Sequence, residues 1–171
     1  MTLALADVAP PRAIFSPCER YRYRLWRDVL PAVPGAGRSL VFVMLNPSTA
    51  DSEKDDPTVR RCIGFARTWG WSRLVVVNIF ALRSTDPAAL YGADDPVGPS
   101  NDFHLLQVAA EAGKIVCAWG NHGAYRGRGA FVLNMLSPYH PECFTLTKEL
   151  SPVHPLYQSA DARTVPLPRV G

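Results

Sequence analysis

The sequence lacks most of the short motifs that assign a function by themselves. Its four cysteines form no CxxC pair, and no group of residues has diagnostic metal-ligand spacing. No P-loop is present, and no GxGxxG follows the first predicted strand. The GxSxG motif of one class of serine hydrolases is absent, and Gly127–Gly129 is too short to cradle a phosphate. These enzyme classes are therefore not indicated.

Long hydrophobic runs and a strong charge surplus are also missing. No apolar run approaches the roughly 18 residues that a membrane span needs. No positively charged segment followed by an apolar run precedes a cleavage site. We therefore expect a cytoplasmic protein. The net charge of +3, from 18 basic and 15 acidic residues, is too small to establish nucleic-acid binding.

The cysteine content predicts reduced structural thiols, and we expect no cofactor. Three of the four cysteines lie in or beside apolar segments, where a free cysteine behaves as a small hydrophobic residue. A cluster of four is compatible with their number, but their spacing does not support it. The cysteines are Cys18, Cys62, Cys117 and Cys143.

The length and composition predict one folded domain. The chain has 171 residues, of which 47% are hydrophobic and 19% charged, so it can build a core without disulfides or metals. We predict a single domain over residues 1–171, with a core at about 13–157 and a weakly patterned tail at 158–171. Residues 1–12 are predicted to be a loose lead-in, and Pro31–Gly37 a connector rich in turn residues.

One stretch, Ser39–Pro57, organises the predicted fold. It begins with Leu40–Leu45, an apolar run without polar alternation, which is typical of a parallel strand covered on both faces. The run stops at Asn46–Asp51, a loop of small and polar residues with one proline. Open α/β sheets bind ligands at the carboxyl ends of their strands, so this loop is the first candidate for a site.

The residues that follow predict a strand–helix–strand unit. Asp56 has the character of a helix N-cap and Pro57 that of a first-turn residue. Apolar residues then repeat at helical spacing over 59–66, and Leu74–Ile79 is a second buried strand. Such a crossover implies parallel pairing and an α/β fold. Further predicted elements are helices that begin at Asp86–Pro87, at Asn101 and at about Ala130, and strands over Lys114–Trp119 and Cys143–Thr147.

The N-terminal segment Glu19–Trp26 alternates strictly, which predicts a strand. We predict that this is an edge strand with Arg20, Arg22 and Arg24 on one face in solvent, where charge protects an edge from pairing with other chains. The same interleaving of arginine and tyrosine could instead contact phosphates and stack on bases.

The carboxyl ends of the four predicted core strands all lead into polar residues, and we expect these residues to meet at one rim of the sheet. Packing does not require asparagine, arginine, histidine and lysine at four separate strand exits, so their convergence favours a functional rim. The segments that follow the strands are Asn46–Asp51, Arg83, Trp119–His122 and Lys148–His154.

Individual residues of the rim have two interpretations each. Asn46 could start a turn or orient a water or a base edge. Asp51 is the better candidate for a general base or metal ligand, since Asp56 is expected to cap a helix. Arg83 could pair with a loop carboxylate or bind a phosphate in a fork. His154 precedes a proline, which fixes an extended backbone and could aim the imidazole, although a structural role is equally open.

Several strings of the sequence resemble an uncharacterised bacterial family, domain-of-unknown-function family 1643. The resemblance covers most of residues 13–157, and the family name implies no activity. The strings that carry it are Phe42–Asp51, Asp56–Thr58 with Arg60–Cys62, Asn78–Arg83 with Asp86–Pro87, Phe15–Pro17 with Tyr21–Tyr23, Trp119–Gly120, and Leu146–Lys148 with His154–Tyr157.

The order of the strand-end motifs also resembles, more distantly, the uracil-DNA glycosylase superfamily. Asn46–Ser48 is similar to the first loop of that superfamily, Asn78 with Arg83 to its middle segment, and His154–Pro155 to its closing motif. The resemblance implies an α/β three-layer sandwich with a central, mainly parallel four-stranded sheet, plus an N-terminal edge strand or hairpin here.

This resemblance also implies a reaction, the hydrolysis of an N-glycosidic bond. Asn46 would orient the water, Asp51 would accept its proton, and His154 would stabilise the departing base. We expect Trp119 or Tyr157 to stack on the base, and Arg83 and Lys148 to neutralise phosphate. The full set expected to bind a nucleobase, nucleotide or nucleic acid is Pro47, Ser48, Asn78, Arg83, Trp119, His122, Lys148 and Tyr157.

Two other functions remain open from the sequence. Ser48 and Leu156 depart from the superfamily pattern, so the protein could bind a nucleotide or a modified base without turning it over. A metal-dependent phosphohydrolase that uses Asp51 and Asp55 is a third possibility.

Overall fold

The computed structural model of the chain describes residues 12–29 and 38–168. Of the predicted lead-in only Arg12 is described, and the predicted connector Pro31–Gly37 lies outside the described residues. Seven strands among these residues form one sheet. They are β1 (Ala13–Phe15), β2 (Arg22–Asp28), β3 (Ser39–Met44), β4 (Arg73–Asn78), β5 (Ala112–Cys117), β6 (Glu142–Cys143) and β7 (Val165–Pro166).

The sheet is mixed, with the strand order β1-β2-β4-β3-β5-β6-β7. β3 pairs in parallel with β4 and β5, and β5 pairs in parallel with β6. The pairs β1–β2, β2–β4 and β6–β7 are antiparallel. The α/β class predicted from the sequence is confirmed, whereas the predicted sheet of four strands is replaced by a larger mixed sheet. β7 was not predicted because two residues are too few to show a strand pattern.

Helices cover both faces of this sheet. Alternate β3 residues enter two separate apolar clusters, one with Val41 and Val43 and the other with Leu40 and Phe42. α1 packs in the second cluster, and α3 and α4 pack in the first. No helix in the described part of the chain has the length and the apolar character that crossing a membrane requires. The helices are α1 (Pro57–Thr68), α2 (Ala89–Gly92), α3 (Asn101–Glu111) and α4 (Arg128–Leu136).

The start of α1 follows the sequence prediction. The carboxylate of Asp56 accepts a hydrogen bond of 2.8 Å from the backbone N–H of Val59, and Pro57 is the first helical residue. Proline has no N–H to leave unpaired at this position, so both residues favour a helix start. The helix ends at Thr68, just before Gly70, whose φ is +77°. The loop after β3 therefore leads directly to a helix N-terminus.

The strand predicted at residues 19–26 is present as β2 and forms an N-terminal hairpin with β1, one of the two predicted arrangements, but the prediction of an edge strand with its arginines in solvent is wrong. β2 lies between β1 and β4, and Arg22 is only 2% exposed. The register changes within β1: Phe15 pairs with Arg22 but Ile14 pairs with Arg24, so Tyr23 is an extra residue. This β-bulge breaks the strict alternation that the sequence shows. Arg22 and Arg24 consequently contact different helical layers.

Candidate functional site

A pocket of about 490 Å³ opens at the carboxyl ends of β3, β4 and β5. Its volume is in the range of ordinary ligand sites. Seven of the predicted site residues line it, together with polar residues that were not predicted. The predicted ones are Asn46, Ser48, Asn78, Trp119, His122, His154 and Tyr157, and the others include Arg22, Asp56, Thr58, Ser84, Thr85 and Asn121.

Four predicted residues do not line the pocket. Pro47 is buried, and its carbonyl accepts from the Ser84 N–H at 2.9 Å. Arg83 donates to the Glu19 carbonyl at 3.0 Å, and its guanidinium lies 4.7 Å from the centre of the Phe15 ring. Lys148 is exposed. Asp51, the fourth, belongs to the loop between β3 and α1.

The carboxylate of Asp51 stabilises its own loop. It accepts backbone hydrogen bonds from Lys54 at 2.7 Å and from Glu53 at 2.9 Å. These two N–H groups, that of Lys54 first, lower the pKa of Asp51, which weakens it as a proton acceptor. Asp55, its partner in the predicted metal site, forms a salt bridge of 2.8 Å with Arg27. Both carboxylates are therefore occupied by contacts within the protein.

Asn46 connects the ends of β3 and β4. Its amide nitrogen donates to the carbonyls of Ser84 at 3.0 Å, Pro47 at 3.2 Å and Leu82 at 3.4 Å. Within the described residues, its amide oxygen accepts no hydrogen bond. An amide that is held on one side and free on the other can orient a water or a ligand group.

His154 is held in one tautomer by its own backbone. Its Nδ1 accepts from the N–H of Leu156 at 3.3 Å, so the neutral ring carries its proton on Nε2. Burial lowers the pKa of His154, and the nearby carboxylate of Asp56 opposes this shift only partly. At neutral pH the imidazole is therefore a neutral hydrogen-bond donor.

Arg22 is a buried residue of the pocket that the sequence analysis placed in solvent. Its Nη1 donates to the Ala50 carbonyl at 2.9 Å and its Nη2 to Asn78 Oδ1 at 3.4 Å. Its Nε has no partner among the described residues. Burial lowers the pKa of Arg22 to about 10, with Asp56 acting in the opposite direction, so the group is charged at neutral pH.

Trp119 forms a rigid wall of the pocket. It is 4% exposed, and the chain approaches it closely at two glycines. A Cβ on Gly123 would lie 2.1 Å from Trp119 Cδ1, and one on Gly129 would lie 2.9 Å from Trp119 Nε1. The next residue, Gly120, has a φ of +73° and donates from its N–H to the Pro152 carbonyl at 2.7 Å. The indole therefore has little room to move.

Exposed rings lie at the mouth of the pocket. Tyr157 is 84% exposed, and its ring centre lies 5.9 Å from that of His154. His122 is exposed too, and its Nδ1 is 3.0 Å from the hydroxyl oxygen of Tyr91. These rings offer flat surfaces at the entrance, and the stacking of Tyr157 on a base stays a prediction.

The sequence analysis missed Arg22 and Asp56 as site residues. Asp56 could have been found, because a helix that follows the loop after β3 must start near the carboxyl end of that strand. For Arg22 the only signal was the interleaving of arginine and tyrosine, whose second interpretation was contact with phosphates; its burial was not predicted, since the bulge depends on pairing with β1. Across residues 12–29 and 38–168, no three His, Cys, Asp or Glu side chains are grouped so that they could hold a metal ion.

Comparison with known proteins identifies a family and no activity. No curated protein and no solved structure matches the chain. The resemblance to the uracil-DNA glycosylase superfamily therefore stays a prediction. Residues 22–156 match the family described as a protein of unknown function, DUF1643. Because this match covers more than half of the chain, the protein belongs to the DUF1643 family.

Proposed function

We propose that this protein acts on a substrate that carries a nucleobase, and that it hydrolyses the N-glycosidic bond of that base in the strand-end pocket. The supporting observation is that one pocket collects Asn46, Asn78 and His154. These residues come from three of the segments that carry the distant resemblance to glycosylases. The parallel pairing of β3 with β4 and β5 places the ends of all three strands at that pocket.

The walls of the pocket suit a flat ring. Trp119 offers a buried and tightly packed indole, and Tyr157 an exposed ring at the mouth. Stacking of a base on an aromatic side chain is worth about 1–3 kcal/mol and does not depend on the identity of the base. We propose that Trp119 borders the bound base and that Tyr157 covers it from the solvent side.

His154 has the protonation state that a departing base requires. In the proposed reaction the C–N bond breaks, and its electron pair leaves with the base as a negative charge. The Nε2–H of a neutral His154 donates a hydrogen bond to that charge and keeps its own proton. Donors that are already in position stabilise developing charge without reorganisation.

Asp56 is better placed than Asp51 to accept a proton from the attacking water. It lines the pocket, whereas Asp51 does not. One of its carboxylate oxygens holds the Val59 N–H, which leaves lone pairs of the other for a water. We propose that the free amide oxygen of Asn46 orients this water, that water oxygen bonds to the sugar carbon, and that Asp56 takes the proton.

The proposal is tested by measuring base release. The protein is incubated with nucleosides and with oligonucleotides that contain uracil, hypoxanthine or mismatches, and free base is measured by chromatography. We expect His154→Ala, which removes the donor, to lower the rate by about 100-fold or more, as the loss of one positioned donor does in other enzymes. His140→Ala is the matched control, because His140 is exposed and does not line the pocket.

A second variant separates the proposed base from the helix cap. Asp56→Asn keeps a good N-cap but cannot accept the proton. We expect it to fold like the wild type and to lose turnover. Release of no base from any of these substrates by the wild type would reject the glycosidase.

The second candidate function is a binding module without turnover. It is favoured by the occupied carboxylate of Asp51, together with Ser48 and Leu156, which depart from the superfamily pattern. Calorimetry against a panel of bases and nucleotides separates the two functions. Binding that requires Asn78 or Trp119 but gives no product would favour the module.

A further inference from the structure

The charge of Arg22 has no close counter-ion in the described part of the chain. The side chain is 2% exposed, and none of the salt bridges found within 4.0 Å includes it. Burying an unpaired charge costs several kcal/mol even after relaxation, at about the scale known for single ions in proteins. A buried arginine is therefore normally paired, and an unpaired one at a pocket calls for an explanation.

The hydrogen bonds of Arg22 are also incomplete. A guanidinium offers five N–H donors in a fixed fork. The two contacts to Ala50 and Asn78 use one donor each from Nη1 and Nη2, and the second is long at 3.4 Å. Nε is buried and has no partner among the described residues. Some N–H donors of Arg22, at the floor of the pocket, therefore have no acceptor among the described residues.

The surrounding charges favour a negative ligand. Arg83 and Arg27 act on Arg22 as further positive charges, while Asp56 is the negative group that acts on it. Arg27 is itself neutralised by Asp55, whereas among the described residues the Arg83 side chain contacts a backbone carbonyl and an aromatic ring but no carboxylate. Asp56 lies at the N-terminus of α1, which already takes up part of its charge.

We propose that Arg22 binds an anionic oxygen of the ligand at the floor of the strand-end pocket. The inference deepens the proposed function, because it rests on the same pocket and states the charge of the group bound there. Two sources supply such an oxygen. In a glycosidase it is the carbonyl oxygen of the leaving base, which becomes negative as the C–N bond breaks. In a binding module it is a phosphate of the nucleotide.

The experiment compares Arg22→Met and Arg22→Lys with the wild type. Methionine keeps much of the apolar length and removes the charge, and lysine keeps the charge but not the fork. Arg24→Met is the matched control, because Arg24 lies on the same strand, contacts α3 and does not line the pocket. Circular dichroism and thermal melting first establish that each variant is folded.

Binding is measured by calorimetry with three probes, namely inorganic phosphate, a nucleoside 5′-monophosphate and the acidic free base 5-fluorouracil. For the probe that binds, we expect Arg22→Met to weaken affinity by at least about tenfold, the scale of a hydrogen bond to a charged group. The affinity of Arg22→Lys should lie between those of Arg22→Met and the wild type, and the affinity of Arg24→Met should be within about twofold of the wild type. For the base, wild-type affinity should rise with pH as the anion forms.

The outcomes are distinct. Arg22-dependent binding of the base assigns the anionic oxygen to the base, and Arg22-dependent binding of phosphate or the monophosphate assigns it to a phosphate. Either result supports the inference even if no glycosidic bond is cleaved, so it survives failure of the proposed reaction. Equal affinity of Arg22→Met and wild type for every probe that binds, or no binding of any probe at millimolar concentration, overturns it.

Discussion

Two buried arginines, one on a strand and one on a helix, show how this chain normally treats a buried cation. Arg27, on β2, is 4% exposed and pairs with Asp55 at 2.8 Å. Arg128, on α4, is 6% exposed; it pairs with Asp102 at 2.5 Å and donates to the Ile79 carbonyl at 2.7 Å. Arg22 lies five residues before Arg27 and has no such carboxylate partner within residues 12–29 and 38–168.

Arg27 also satisfies backbone carbonyls. Arg27 donates to the carbonyls of Trp26 at 2.9 Å and of Asp51 at 2.5 Å. It therefore ties β2 to the loop between β3 and α1. Arg22 makes one comparable contact, to the Ala50 carbonyl at 2.9 Å. The difference teaches that the paired arginines stabilise the fold, while much of the bonding capacity of Arg22 remains for something outside the protein.

The largest expected effect is a loss of stability when Arg27, the strand arginine that is paired with a carboxylate, is replaced. We expect Arg27→Met to lower the free energy of unfolding by about 3 kcal/mol, because it leaves Asp55 and several carbonyls without their donor. Arg22→Met should change the same quantity by about 1 kcal/mol or less, since it also removes an unpaired buried charge. Urea unfolding measures both. Equal losses would mean that Arg22 is a structural residue like Arg27.

A smaller loss of stability is expected from a substitution next to Trp119, the indole that lines the pocket. Gly123→Ala would place a methyl group 2.1 Å from Trp119 Cδ1, so the indole or the backbone must shift. We expect a loss of about 1–3 kcal/mol, together with weaker ligand binding. Gly64→Ala is the control: nothing lies within 4 Å of its Cβ in α1, so it should stabilise by about 0.5–1 kcal/mol. Unchanged stability of the Gly123→Ala variant would show that Trp119 can shift to make room.

The last effect is a pH dependence and concerns Arg24, whose partner is neutral. Its Nε donates to Nδ1 of His104 at 2.7 Å, and burial, together with Arg24, lowers the pKa of His104 to about 4. The unfolded chain, with an ordinary histidine pKa of about 6.5, binds the proton more readily between these values. Stability should therefore fall as the pH drops from about 6.5 to 4.

His104→Gln should flatten this pH dependence in thermal melts. Glutamine can still accept a hydrogen bond from Arg24, so the comparison isolates the titration. An identical pH profile in the variant would show that His104 keeps an ordinary pKa.

The organisation of the strand-end rim could be predicted because its signals are local. The apolar run Leu40–Leu45 and the pair Asp56–Pro57 specify a strand and a helix start within a few residues each. Parallel pairing of β3 with β4 then brings Asn46 and Asn78 to one pocket. Seven of the eleven predicted site residues line that pocket.

The roles of single charged residues could not be predicted in the same way. Asp51 and Asp56 lie five residues apart in similar sequence, yet the first bonds its own loop and the second faces the pocket. Whether a carboxylate turns inward depends on which N–H groups its loop presents, and composition does not reveal that. Arg83 was expected to face the ligand, but its guanidinium lies over the ring of Phe15 in β1 and donates to the carbonyl of Glu19 in the segment that follows.

The sequence by itself therefore determined the α/β class, the strand–helix–strand unit and the place where polar residues gather, because these follow from hydrophobic periodicity and capping. Only the tertiary structure decided that Arg22 is buried with no carboxylate partner in the part of the chain that the structure describes. Its contacts, Ala50 and Asn78, lie 28 and 56 residues away. Burial and pairing of a charge depend on such distant neighbours, and on a bulge that forms only when β1 pairs with β2.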